Sequence, residues 1–168
     1  IKQSQQTIMN HNMSHTSNKK AQKVIIYWDY ENCPIPNNAT SFANVYNVIK
    51  KKIFSKECLG YEVQVETKVY IAANKLRHKV KQSMDICGAK NIDIPSWKPE
   101  AVDKRMLVDL ALDLYEWKGH NICNAVVLIS GDKDFGNILG RIHNTPEIAN
   151  LILVRLPRND GRELPVNN

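Results

Sequence analysis

The feature that most constrains this chain is an alternation. Short runs with strand character take turns with stretches of helical periodicity from about residue 24 to residue 156. Val24–Asp29 (VIIYWD) is apolar up to its final acid, the pattern of a strand buried on both faces. Asn44–Phe54 sets Val45, Val48, Ile49 and Ile53 at helical spacing. Glu62–Ile71 (EVQVETKVYI) alternates and then turns apolar, as a second strand does. Asn74–Cys87 lines Leu76, Val80, Met84 and Cys87 along one helical face. Asn91–Ile94 reads as a short third strand and Pro99–Trp117 as the longest helix. Ala125–Ser130, Lys133–His143 and Leu151–Leu156 complete the series as strand, helix and fifth strand. Such alternation predicts a parallel sheet with helices on both faces, and function at the carboxyl ends of its strands.

Composition narrows the remainder. A chain of 168 residues that is 43% apolar and 24% charged is neither collagenous, fully disordered nor a coiled coil. Its longest apolar runs, at 24–28, 125–129 and 151–154, fall far short of the ~20 residues of a membrane span, so no membrane is expected. Ile1 in place of an initiator Met suggests a trimmed segment, and residues 1–20 hold no signal-peptide core. Residues 1–22 are expected to be a disordered basic tail, 23–156 the folded domain and 157–168 a flexible tail. The first 28 residues hold four lysines and no acid, so the net charge of +6 belongs mainly to the tail. Cys33, Cys58, Cys87 and Cys123 have neither disulfide-scaffold nor zinc spacing and read as free thiols in a reducing compartment.

Acids occupy the expected strand ends. Asp29 closes the first strand in WDYENCP, where it is either a helix N-cap or a functional carboxylate. Asp132 and Asp134 follow the fourth strand in LISGDKDFGNIL. One can serve as an N-cap, but two exceed what a cap needs. Asp103 opens the long helix. It either complements the helix dipole with Glu100 or, on the same stripe as Leu107, Leu110, Ala111 and Leu114, leans over the strand ends. Asp109 is expected on the solvent face with Arg105, Asp113 and Glu116, as a surface or supporting acid. At ~4 Å and an effective dielectric near 20, each like-charge pair in such a cluster costs about 4 kcal/mol. A cation would relieve that, and an all-oxygen site favours Mg²⁺ or Mn²⁺.

WDYENCPIP (28–36), AVDKRMLVDL (101–110) and LISGDKDF (128–135) together resemble the NYN branch of the PIN-like nucleases, most of all its limkain/meiosis-regulator type and plant relatives. The resemblance implies a PIN-like three-layer α/β/α sandwich with a mainly parallel five-stranded sheet. It also implies Mg²⁺- or Mn²⁺-dependent endoribonuclease chemistry on single-stranded RNA, in RNA turnover or gene regulation. The metal would be held by Asp29, Asp103 and Asp132, with Asp134 in support, and Asn32 and Ser130 would orient ligands or substrate phosphate. The setting implied is intracellular, cytoplasmic first, with a peroxisome or another organelle as the family's alternatives. Further RNA-binding domains outside this segment fit the same pattern. The family's terminal helix has no counterpart in the closing PRNDGRELPVNN.

Lys75, Arg77, His78, Lys79 and Lys81 load one stretch with positive charge and no acid. They are either a solvated helix face or a phosphate-contacting shoulder, and Lys50–Lys52 near the end of the preceding helix either extend that shoulder or complement the helix dipole. Tyr30 and Trp97 are candidates for stacking on bases, whereas Trp28 reads as core. Two other functions compete. One is a catalytically inactive RNA-binding adaptor of the same fold. The other is a dehalogenase-like phosphatase, which the stretch Asp29-Tyr30-Glu31 disfavours because that chemistry needs D-x-D there.

Overall fold

The computed structural model describes residues 8–9, 23–36, 41–57, 64–73, 75–95, 98, 100–117, 124–144, 148–154 and 156. In chain order these form β1 (Ile8–Met9), β2 (Lys23–Asp29), α1 (Phe42–Glu57), β3 (Gln64–Ala72), α2 (His78–Ile86), β4 (Lys90–Ile94), α3 (Ala101–Trp117), β5 (Asn124–Ile129), α4 (Gly136–His143) and β6 (Ile148–Val154). The sheet order is β1-β6-β5-β2-β3-β4. Strands β2 to β6 run parallel, as the alternation predicts. The short β1 adds an antiparallel edge to β6, pairing Ile8 with Val154. Those two residues therefore depart from the tail expected over 1–22; the other residues of that segment, and 157–168, lie outside the described residues.

β2 lies at the centre, so its side chains from Val24 to Asp29 are fully buried on both faces. Side-chain alternation sorts them into two cores. Val24, Ile26 and Trp28 meet α1 and α2 through Phe42, Tyr46, Ile49 and Met84. Ile25 and Tyr27 meet α3 and α4 through Val102, Met106, Leu110 and Ile142. Asp29 shares the odd parity of Ile25 and Tyr27. Its side chain therefore emerges on the α3 side of the sheet, where Asp103 begins its helix.

Several boundaries differ from expectation. α2 starts at His78, because Arg77 is still extended (φ −68°, ψ 138°). α2 ends where Gly88 takes a left-handed φ of 70° and Ala89 N–H reaches back to the Met84 carbonyl, closing the helix. α1 runs on to Glu57, so Lys50–Lys52 sit in mid-helix, and Lys50 Nζ lies 4.3 Å from the Tyr46 ring centroid.

The α3 stripe is rotated from the expected one. Val102, Met106, Leu110 and Trp117 face the sheet, while Ala111 is exposed. Asp109 and Asp113 turn inward with them, contrary to the solvent-face reading. Tyr70 hydroxyl donates to Asp109 (3.1 Å), and both Tyr27 hydroxyl and Lys68 ammonium (2.6 Å) donate to Asp113. Strand positions 27, 68 and 70 thus present polar groups to the helix, and these need acceptors.

Candidate acidic active site

Asp29 is held as a fully buried carboxylate. Its Oδ1 accepts the Asn32 backbone N–H (3.1 Å) and its Oδ2 accepts the Ser130 hydroxyl (2.7 Å). It caps this local turn and no helix, since α1 begins at Phe42. Burial pushes the Asp29 carboxyl above its usual range, against the lowering effect of those hydrogen bonds, and Asp132 pushes it further up. Ser130 is itself buried. Its Oγ accepts the Asp132 N–H (3.0 Å) while its proton goes to Asp29, so one hydroxyl couples the ends of β2 and β5.

Asp132 in turn accepts the Asp134 N–H on Oδ1 (2.9 Å). That self-contained turn replaces the expected helix cap, because α4 starts after Phe135 with no side-chain cap. Gly131 has a positional reason. A Cβ there would lie 3.2 Å from the Asn32 carbonyl oxygen, so the two loops meet backbone to backbone. Gly131→Ala is expected to push the loops apart and cost about 1 kcal/mol, or ~2–4 °C in Tm by differential scanning fluorimetry.

Asp103 projects from the first turn of α3 into the same cleft. Asn32 Nδ2 approaches its Oδ1 at 3.4 Å, so Asn32 touches Asp29 through its backbone and Asp103 through its side chain. The Asp103 carboxyl is raised to about 6, first by partial burial and then by Asp29, Asp132, Glu100 and Asp134. Glu100, just ahead, holds a left-handed φ of 60°, which a non-glycine residue adopts at a cost, and pairs with Lys104 (3.0 Å). Sequence reasoning gave Glu100 only a dipole role; nothing in the sequence foretold its backbone.

The structure therefore brings together Asp29, Asp103 and Asp132 with Asn32 and Ser130 around them, and sets Asp134 at the exposed rim. No ion pair among the described residues reaches these acids. As donors they are all hard oxygen, the kind Mg²⁺ or Mn²⁺ takes. Among the described residues no three such side chains stand close enough to share one ion. Asp103 and Asp132 are only half-buried and are the ones free to adjust.

Other expected contacts are redistributed. Tyr30 is buried, its ring tilted against Trp28 and Phe42, which leaves no face for a base to stack on. Apolar neighbours on both sides of the loop drew it into the core. Trp97 lies outside the described residues. Lys75, Arg77 and Lys79 are exposed beside the carboxyl end of β3, but Lys75 is ion-paired with Glu31, and Lys81 pairs with Asp93 (3.4 Å). The shoulder is thus less charged than its sequence suggests, because its acids come from distant segments. Cys33 and Cys87 are not joined in disulfides; Cys58 and Cys123 lie outside the described residues. No helix among the described residues is long and apolar enough to cross a membrane.

No curated protein matches the chain. The family model of the NYN domain, a nuclease-like RNA-binding family, matches residues 23–159, from the first residue of β2 to beyond β6. With that span and a parallel α/β sheet bearing acids at the ends of its central strands, the chain belongs to the NYN domain family.

Proposed function

We propose that the chain is a divalent-metal-dependent endoribonuclease that cleaves single-stranded RNA at the cleft of Asp29, Asp103 and Asp132, with Asp134 supporting them. The observation that carries this reading is the convergence of carboxylates from three separate segments, in which Asp132 disfavours the charged form of Asp29, and Asp29 and Asp132 disfavour that of Asp103, without a side-chain cation among the described residues to compensate. Such an arrangement costs stability unless a cation joins it. A bound Mg²⁺ or Mn²⁺ supplies charge neutralisation and polarises water for phosphodiester hydrolysis.

The chain's own residues do the rest. Ser130 fixes the Asp29 carboxylate, and Asn32 spans from Asp29 to Asp103. Arg77 and Lys79, with Lys75 once it leaves Glu31, hold RNA phosphates at the β3 side of the cleft. The role is RNA turnover or regulation of gene expression in a reducing intracellular compartment, in the manner of the limkain/meiosis-regulator type.

Incubating end-labelled single-stranded RNA with the protein and Mn²⁺, with and without EDTA, tests the reading. EDTA-sensitive internal cleavage is expected. Binding without cleavage would favour the adaptor reading, for which the open spacing of the acids is the one supporting observation.

A pH experiment tests the site without catalysis. The folded Asp103 carboxyl, raised to about 6, binds a proton more readily than in the unfolded chain. The stability of metal-free protein therefore falls as pH rises from about 4 to above 6. Relative to wild type, Asp103→Asn should show a flatter Tm between pH 5 and 7.5. Saturating Mg²⁺ should raise the wild-type Tm at pH 7.5 and leave that of the variant little changed.

A further inference from the structure

Glu31 lies between Tyr30 and Asn32 in the turn that follows Asp29, and its carboxylate is ion-paired with the Lys75 ammonium. The turn that carries it is fixed at both ends. Cys33 N–H donates to the Asp29 carbonyl (2.9 Å), and the Trp28 indole N–H donates to the Cys33 carbonyl (2.8 Å). Lys75 stands in the turn after β3, its N–H donating to the Ala72 carbonyl (3.2 Å). β2 and β3 are parallel neighbours with Asp29 opposite Tyr70, so the pair joins two loops at the carboxyl end of the sheet, beside the acidic cleft. Burial pushes the Tyr30 phenol up and the Arg77 charge opposes that rise, which sets Arg77 beside the same loop. Among the described residues no ion pair reaches Arg77 or Lys79.

We propose that Glu31 is the resident counter-ion of the RNA site, holding Lys75 at the mouth of the cleft until an RNA phosphate takes its place. This rests on the cleft being where RNA binds. The Lys75 side chain is 59% exposed and that of Glu31 30%, so water and salt screen the pair. An exposed ion pair shifts an equilibrium by no more than about fivefold. A phosphate on a nucleic acid strand gains, besides its own attraction, the release of about 0.7 counter-ion. The phosphate therefore wins the lysine. The exchange needs little movement, because the flexible lysine stem lets the ammonium swing while the turn keeps Glu31 where it is. A small anion without condensed counter-ions lacks the gain from their release, so the pair favours a strand over a free nucleotide. Glu31 thus keeps Lys75 paired in the absence of RNA and makes RNA binding weaker than the cations of the shoulder alone would make it.

Fluorescence anisotropy of a labelled single-stranded RNA in EDTA, over a range of NaCl concentrations, tests the exchange without cleavage. Glu31→Gln should bind about two- to fivefold tighter than wild type with the same salt slope, because Lys75 reaches phosphate in both proteins. Lys75→Gln should bind more weakly and lose about 0.7 from the slope. Added to Lys75→Gln, Glu31→Gln should change affinity by less than about 1.5-fold, since no lysine remains to be freed. The Tm of all three should stay within about 2 °C of wild type, as solvent reaches both side chains. A Glu31→Gln variant that binds no tighter overturns the proposal. So does a gain that survives in the Lys75→Gln background, which would be general charge repulsion. A slope about 0.7 steeper in Glu31→Gln overturns it too, because Lys75 would then stay with Glu31 in the wild-type complex. Cleavage with Mn²⁺ reads separately: its absence with these binding changes intact strikes the nuclease reading alone.

Discussion

Asp29→Asn is expected to abolish the proposed metal-dependent RNA cleavage and to leave a folded protein. The acid is fully buried, receives two hydrogen bonds and carries a raised pKa. The neutral amide removes the desolvation cost that burial imposes on a carboxylate. The Asn32 N–H keeps its acceptor in the amide oxygen. The Ser130 hydroxyl faces an amide N–H₂ in place of an acceptor and has to rotate, a loss of about 1 kcal/mol. Those terms nearly cancel, so the Tm in EDTA should lie within a few degrees of wild type. Cleavage should fall by at least ~10³-fold, about 4 kcal/mol of barrier, because a charge at the centre of the acidic cleft is gone. Retention of more than a few per cent of wild-type cleavage would remove Asp29 from the active site.

The largest loss of stability is expected at Asp113, well away from the cleft. The Lys68 ammonium, whose side chain is 11% exposed, and the fully buried Tyr27 hydroxyl both donate to its carboxylate. Burial and the adjacent Asp113 hold the Tyr27 phenol far above its usual range, so it stays a donor. Asp113→Ala leaves a cation and a hydroxyl inside the protein without that acceptor, at a cost of about 3–5 kcal/mol. Tyr27→Phe leaves the Lys68–Asp113 pair intact and should cost only about 1 kcal/mol. Replacing Lys68 and Asp113 together by Met and Leu should recover most of the loss, since removing both partners leaves no orphan. Urea unfolding at constant m-value reads all three. An Asp113→Ala variant within 1 kcal/mol of wild type would mean that water reaches Lys68 freely.

Asp113 also shows where the sequence stopped being legible. The parallel sheet could be read because each strand carries its own apolar run, and the β2 run needs no partner to declare itself buried. Asp29, Asp103 and Asp132 could be found because the ends of parallel strands collect polar groups whatever the sequence between them. The facing of α3 could not be read from periodicity. That helix has apolar residues on two opposite sides, so an averaged stripe is ambiguous and a polar partner on the sheet decides. Lys68, a lone cation within a strand, was the available sign that an acid would be drawn inward. Tyr30 was misjudged for a related reason: its loop position suggested exposure, but Trp28, two residues before it, and Phe42, 12 residues after it, supplied a hydrophobic seat.

The hydroxyl of Ser130 reaches Asp29 across 101 residues of chain, and the Asn32 amide reaches Asp103 across 71. Contacts this distant form only after the intervening crossovers have closed, which is the slow part of building a parallel sheet. A partly synthesised or partly refolded chain thus carries the individual acids without the constellation. On the proposed nuclease function, hydrolytic capacity would emerge at the last step of folding, and a nascent chain still beside its own message would pose no threat to it. Recovery of cleavage during refolding should follow the slowest structural phase and never precede it.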